Sequence, residues 1–255
     1  MLNGMMAVVT GSTTGIGRAC AEALLAAGAG GVLISGRDEK RAEAARAEIQ
    51  ARFPAAHVAV APGDLALPQT AEAVMAEAMR KLGRIDLLVN ATGGNDVPCL
   101  LHSTALDEIP GILERCLLPQ LLSSRAALPY MRQARSGAVV NIASDAAKLP
   151  TPGEAVIGAA MAGIVMFTRA LAVEGKRDGI RANVVTPSLT SGTRHYDSVM
   201  ADPFAGKMFA KAQRAAALGV VTKEELAALV VFLASPAAAK ITGQAISMTG
   251  GISAL

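Results

Sequence analysis

Chemistry in this chain starts at Thr10-Gly11-Ser12-Thr13-Thr14-Gly15-Ile16-Gly17, where glycines fall at the point a strand must turn into a helix. Glycine accepts positive φ and lets a ligand or another backbone come close, and the N–H groups that open a helix lack partners. Gly11, Ser12, Thr14, Gly15, Ile16 and Gly17 therefore form a candidate cradle for a pyrophosphate. At the start of a βαβ unit the pattern is specific, although a tight strand–helix turn that binds nothing would read the same way. Groups able to move protons are scarce: three His, two Tyr and three Cys. His102 and His195 are the imidazoles nearest to chemistry, since imidazole titrates near neutrality, but a solvated loop His is the plainer reading of each. Cys20, Cys99 and Cys116 have neither CxxC nor zinc spacing, so no metal site is expected, only unpaired thiols in a reducing cytoplasm.

The elements that must position these residues follow from alternating apolar and helical runs. Strands are expected at 5–10, 32–35, 57–61, 85–90, 138–143, 180–186 and 245–248. Helices are expected at about 15–27, 38–53, 69–82, 112–134, 154–174 and 222–234, with Pro119 kinking the long one or starting its main part. The stretch from 187 to 221 is left as a loop. Seven strands with helices on both faces imply an α/β fold, a Rossmann-type doubly wound parallel sheet, in one domain over 1–255. The 255 residues are 52% apolar but only 3% aromatic, with no Trp, so the core must be aliphatic. A net charge of +3 from scattered basic residues gives no stripe for nucleic acid. No uninterrupted apolar span of bilayer length is evident and the first residues run straight into a strand, so no membrane partner and a cytoplasmic location are expected.

Over essentially its whole length the chain resembles the short-chain dehydrogenase/reductase family. The glycine turn matches that family's TGxxxGIG. Asp64–Leu65 resembles the pair whose acid bonds the adenine amine, and Val89-Asn90-Ala91-Thr92-Gly93 resembles VNNAG with Ala91 for the second Asn. Thr242-Gly243-Gln244 and Thr249-Gly250-Gly251 resemble the closing TGQ…DGG, with Thr249 for Asp. The resemblance implies NAD(P) contacts at the glycine turn, Arg37, Asp64, Leu65, Asn90 and Gly93. NAD-selective members usually carry a carboxylate where Gly36 stands; Gly36–Arg37 offers a cation instead, which favours NADP over NAD if a dinucleotide binds. A solvated Arg at a strand end would look identical.

The same resemblance exposes what is missing. Asn141-Ile142-Ala143-Ser144 resembles the strand end that carries the catalytic Ser, and Ser144 is kept. Thirteen residues on, the family's Tyr position reads Ile157, and four further its Lys position reads Met161. Thr168-Arg169-Ala170-Leu171-Ala172 matches the following run, so the register is fixed on both sides. The fourth member, an Asn thirteen positions before Pro129, reads Cys116. Tyr130, at the end of the long helix, and Tyr196, in the substrate loop, are not placed to serve. Positioned acid–base help is worth about 10²–10⁴-fold, and a lone Ser144, a relic that also suits helix capping, delivers no proton. Ser188 and Gly192 depart from the family pattern beside the same site. Dinucleotide binding is therefore expected to be weak or absent.

Within the family, Ser144-Asp145-Ala146-Ala147 and Gly153-Glu154-Ala155-Val156 resemble the hydroxyacyl-CoA dehydrogenases of cyclic and aromatic acid degradation, whose GEAVY breaks off here at Ile157. This implies a non-catalytic chain beside a competent sister subunit, in a hetero-oligomer of tetrameric type, with the acyl-CoA substrate in the partner. Gly158, Ala159, Ala160, Ala162 and Gly163 give the active-site helix a small-residue surface for close approach. The alternative is a divergent active oxidoreductase that uses His195 or another group, or catalyses a redox-neutral step.

Overall fold

Runs such as MAVVT and GAVVNI are apolar on both faces, which suits strands covered by helices on both sides. In the computed structural model, which describes residues 2–253, they form β1 (Met6–Thr10), β2 (Gly31–Ile34), β3 (His57–Val60), β4 (Leu87–Asn90), β5 (Gly137–Ile142), β6 (Ile180–Pro187) and β9 (Ala245–Met248). All seven pair in parallel in the order β3-β2-β1-β4-β5-β6-β9. Strand order reverses between β1 and β4, and a doubly wound sheet opens a crevice beyond the carboxyl ends at such a point. Thr10 and Asn90, the last residues of the two strands, are in register there.

The helices are α1 (Gly15–Ala26), α2 (Glu39–Arg52), α3 (Pro68–Leu82), α4 (Glu108–Ala134), α5 (Ala155–Gly175), α6 (Arg194–Ala201), α7 (Ala205–Ala215) and α8 (Lys223–Ala234). Side chains alternate across the sheet as a period of two requires. Ala7 and Val9 of β1 join Leu24 of α1 and Leu226 of α8 in one core, while Val8 joins Met75 of α3 and Met131 of α4 in the other. Buried polar side chains stitch the sheet to its helices. Asn90 Nδ2 donates to Asn141 Oδ1 at 2.9 Å and to Ser124 Oγ at 3.0 Å, and Asn141 Nδ2 donates to Thr168 Oγ1 at 2.8 Å.

Three differences from the sequence reading have physical causes. First, α4 begins at Glu108 and runs through Pro110, Pro119 and Pro129 to Ala134. Pro110 lies in its first turn, where a missing N–H costs nothing, so it does not mark a boundary. Second, 187–221 is not a loop: besides α6 and α7 it holds β7 (Thr190–Ser191), which pairs with β8 (Val221–Thr222). These two helices are short, at 8 and 11 residues, and bury little, Val199 and Ala205 being their fully covered residues. Third, the segment Ala155–Asp178 contains an 18-residue stretch with a mean hydropathy of 1.9, long and apolar enough to span a bilayer. Thr168, Arg169 and Glu174 disguise this in the sequence. It is a layer helix of this domain, with Ala160, Ile164 and Val165 buried in a cluster with Ala143 and Val184 beside β5 and in β6.

Candidate functional site

The crevice at the sheet's reversal is a cleft of about 700 Å³, lined by the glycine turn, the start of α5, and α6. Gly11 adopts φ 61°, and a Cβ there would lie 2.6 Å from the carbonyl oxygen of Ala91 at the end of β4. A Cβ on Gly17 would stand 2.5 Å from the carbonyl oxygen of Gly11. These two glycines are demanded by the turn's packing on itself and on β4, whether or not anything binds. Gly15, Ile16 and Thr14 line the cleft. Ser12 and Asn90 do not: both are fully buried and serve the scaffold. Ser12 Oγ donates to the Val9 carbonyl at 2.5 Å and accepts from the Ser35 N–H at 3.0 Å, tying β1 to β2.

Asp64, Leu65 and Gly93 line the cleft as the family resemblance implied, and so does Arg37, joined by Arg41 from α2. A Cβ on Gly36 would meet Thr13 Cγ2 at 2.6 Å, so a carboxylate-bearing residue fits there only if Thr13 moves. The cleft keeps features that suit an adenine dinucleotide. A Cβ at Gly93 would meet nothing within 4 Å. Thr92 Oγ1, Gln120 Oε1 and Thr190 Oγ1 are buried without a partner among the described residues, and all three residues line the cleft. Buried polar atoms of that kind ordinarily have a partner.

At the chemical end, Ser144 Oγ accepts from the Ala146 N–H at 3.2 Å and caps the 3-10 turn Asp145–Ala147. Ile157, Met161 and Cys116 line the cleft together, and all three belong to one apolar cluster that joins α4, α5 and β6. Burial pushes the Cys116 thiol up, only partly countered by the Gly94 backbone, so the group is a poor proton donor at neutrality. Beside it, Cys116 Sγ lies 3.8 Å from Asp96 Oδ2, and Asp96 is held by Arg115 Nη2 at 2.5 Å. The cations lining the cleft are Arg37, Arg41 and Arg194; no Lys does so among the described residues. Lys148 bonds the Ser247 hydroxyl. Cys20 is buried in the core, its thiol pushed up to about 12, and Cys99 is exposed.

The imidazoles divide. His102 is exposed on the 3-10 turn Leu101–Ser103 and does not line the cleft. His195 does line it, from α6 and not from a loop; desolvation lowers its pKa, with Asp96 acting in the opposite sense. Tyr130 packs against the α3–α4 core. Tyr196 lines the cleft, a placement that a loop at 187–221 does not anticipate, yet its phenol has no bond to Ser144 among the described residues. The group sequence reasoning passes over is Glu154. It lines the cleft as the residue immediately before α5, three positions ahead of Ile157, which lines the same cleft. Burial raises its pKa to about 7, Thr151 opposing and Asp145 adding to the shift. Its position beside a helix start makes it look like an ordinary cap.

Several known proteins are similar to this chain. The family profile described as Enoyl-(Acyl carrier protein) reductase matches residues 11–253. A 2,3-dihydroxy-2,3-dihydro-p-cumate dehydrogenase of Pseudomonas putida is 33% identical over 250 residues, covering 98% of this chain and 95% of the relative. A D-beta-hydroxybutyrate dehydrogenase of Cupriavidus necator is 33% identical, covering 98% of both. Among solved structures, gox2181 superposes with a TM-score of 0.89 at 27% identity, over 98% of this chain and 96% of that one. A dehydrogenase/reductase from Sinorhizobium meliloti 1021 gives 0.87 at 27%, over 99% and 96%.

Proposed function

Because the chain belongs to the short-chain dehydrogenase/reductase family while aliphatic and sulfur side chains fill its catalytic positions, we propose that it is a non-catalytic subunit. Its assembly would be a heteromeric hydroxyacyl-CoA dehydrogenase in which a competent sister chain oxidises a 3-hydroxyacyl-CoA. The arrangement resembles the two-chain 2-[hydroxy(phenyl)methyl]succinyl-CoA dehydrogenase of anaerobic toluene breakdown. NAD(P), when bound, accepts the hydride in this chemistry. The chain's own residues must then take the alcohol proton, and Ile157, Met161 and Cys116 take none. The single observation behind the reading is their merger into one apolar cluster on the cleft wall.

The protein's work is then to present a folded surface to its partner. The cleft keeps its glycine turn, and Gly36–Arg37 favours NADP over NAD within it. A cytoplasmic location accords with this reading. The test is to purify the chain alone and together with a short-chain dehydrogenase encoded beside it. Activity is expected only in the complex and should survive Ser144→Ala in this chain. Turnover by the isolated protein, or loss of the complex's activity through Ser144→Ala, contradicts the proposal.

One observation favours a second reading, a divergent oxidoreductase. Glu154 lines the same cleft as Ile157, and near neutrality its carboxyl both gives and takes a proton. On that reading the isolated chain turns over and Glu154→Gln abolishes turnover without loss of fold.

A further inference from the structure

Arg194 is, among the described residues, the one Arg or Lys of α6 and α7 that lines the cleft. From the first residue of α6 its guanidinium Nη2 donates to Thr14 Oγ1 at 3.1 Å, across 180 residues of chain. Thr14 is the residue that opens α1, and its hydroxyl makes no capping bond to that helix. The first backbone bond of the helix runs from the Arg18 N–H to the Thr14 carbonyl, so the N–H groups of Gly15, Ile16 and Gly17 precede the hydrogen-bonded ladder. The start of α6 is fixed over this turn. Thr193 Oγ1 accepts from the Tyr196 N–H at 3.1 Å and donates to the Thr190 carbonyl at 3.0 Å. A Cβ at Gly15 would come within 3.9 Å of Thr193 Cγ2.

Two further facts suit an anionic ligand beside Arg194. Arg194 forms no ion pair among the described residues, although five carboxylates line the cleft. Asp96 is engaged by Arg115, Asp145 accepts from Ser253, Asp38 from the Arg41 N–H and Asp64 from the Ala66 N–H, while Glu154 stands just before α5. Beside Arg194, Thr190 is 8% exposed and its hydroxyl oxygen is buried without a partner. A cation bonded to the residue that opens α1 and an orphaned hydroxyl four residues before that cation thus line one cleft. Arg37 and Arg41 stand at the other side of the glycine turn.

We propose that Arg194 closes α6 over the glycine turn onto the pyrophosphate of an adenosine diphosphate ligand, whose ribose phosphate meets Arg37 and Arg41. The inference rests on the nucleotide part of the functional reading and adds that the cleft, though unable to turn over, is occupied. NADP and coenzyme A both carry this chemistry: a pyrophosphate between an adenosine with a ribose phosphate and a reactive or thiol-bearing arm. Arg is the side chain that matches such oxygens with a planar fork.

Calorimetric titration of the full chain with ADP, NADH, NADPH and coenzyme A is the test. The native protein should bind ADP, and Arg194→Met should weaken all four ligands by about tenfold or more, the loss of one charge-assisted contact. Arg194→Lys should fall between the two. Arg37→Met should weaken NADPH and coenzyme A and leave ADP and NADH unchanged. Tighter binding of NADPH than of coenzyme A identifies the dinucleotide as the source, and the reverse order identifies the thiol cofactor. Equal ADP affinity in the native and Arg194→Met proteins, with unchanged thermal midpoints, overturns the proposal, as does no binding of any ligand to the native chain. If nothing binds and the two-chain complex is active, this inference falls and the subunit reading stands. If ADP binding depends on Arg194 while the complex is silent, the inference stands and the subunit reading falls.

Discussion

Ile157, Met161 and Cys116 make one wall of the cleft part of the core, and Met161 is only 8% exposed. Glu154 lines the same cleft just before α5, and its environment has a consequence for stability. Its folded pKa, about 7, lies above the ordinary 4.5 because burial disfavours the carboxylate. Below the ordinary value both states hold the proton and the group is neutral in effect. Between about 4.5 and 7 the folded state keeps a proton the unfolded state has released, so stability falls as pH rises through this window. Glu154→Gln, neutral at every pH, should flatten that part of the curve. Chemical denaturation from pH 4 to 8 reads it directly: an equal slope in both proteins would mean that Glu154 is not held protonated.

The elements differ in how firmly they are held. In α5, Ala160, Met161, Ile164, Val165, Thr168, Leu171 and Ala172 are buried, whereas α6 buries Val199 alone and α7 Ala205 alone. Local opening free energy follows such burial, so amides of α6 and α7 should exchange with deuterium far faster than those of α5. A ligand that engages Arg194 should slow α6 selectively. Uniform protection across the three helices would contradict this picture. The same contrast explains what is legible in the sequence. Strands such as LLVN and AVVNI announce themselves because they face two buried layers. The helices α6 and α7 are less legible, being short, at 8 and 11 residues, and burying one side chain each. The glycine turn and the emptied positions Ile157, Met161 and Cys116 are readable because local spacing fixes them. Glu154, Arg194 and Thr190 are not, because their roles come from neighbours as far as 180 residues away. Ser12 and Asn90 resemble cofactor contacts in sequence and are scaffold in space, since a motif records which residues recur and not which way they face.

At the scale of the molecule, the proposal that this chain serves a sister subunit rests on an intact sheet, the cleft at its reversal and the wall formed by Ile157, Met161 and Cys116. Met166 and Val173 on α5 and Phe232 on α8 are exposed apolar side chains. The most direct measurement of the central claim compares the isolated native chain with its Ile157→Tyr, Met161→Lys, Cys116→Asn triple variant. Each is mixed with NADP and a 3-hydroxyacyl-CoA, and nicotinamide absorbance is followed through a single turnover. The account predicts no hydride transfer in the native chain and measurable transfer in the variant. Transfer by the native chain alone, at a rate the triple substitution does not raise, would contradict it.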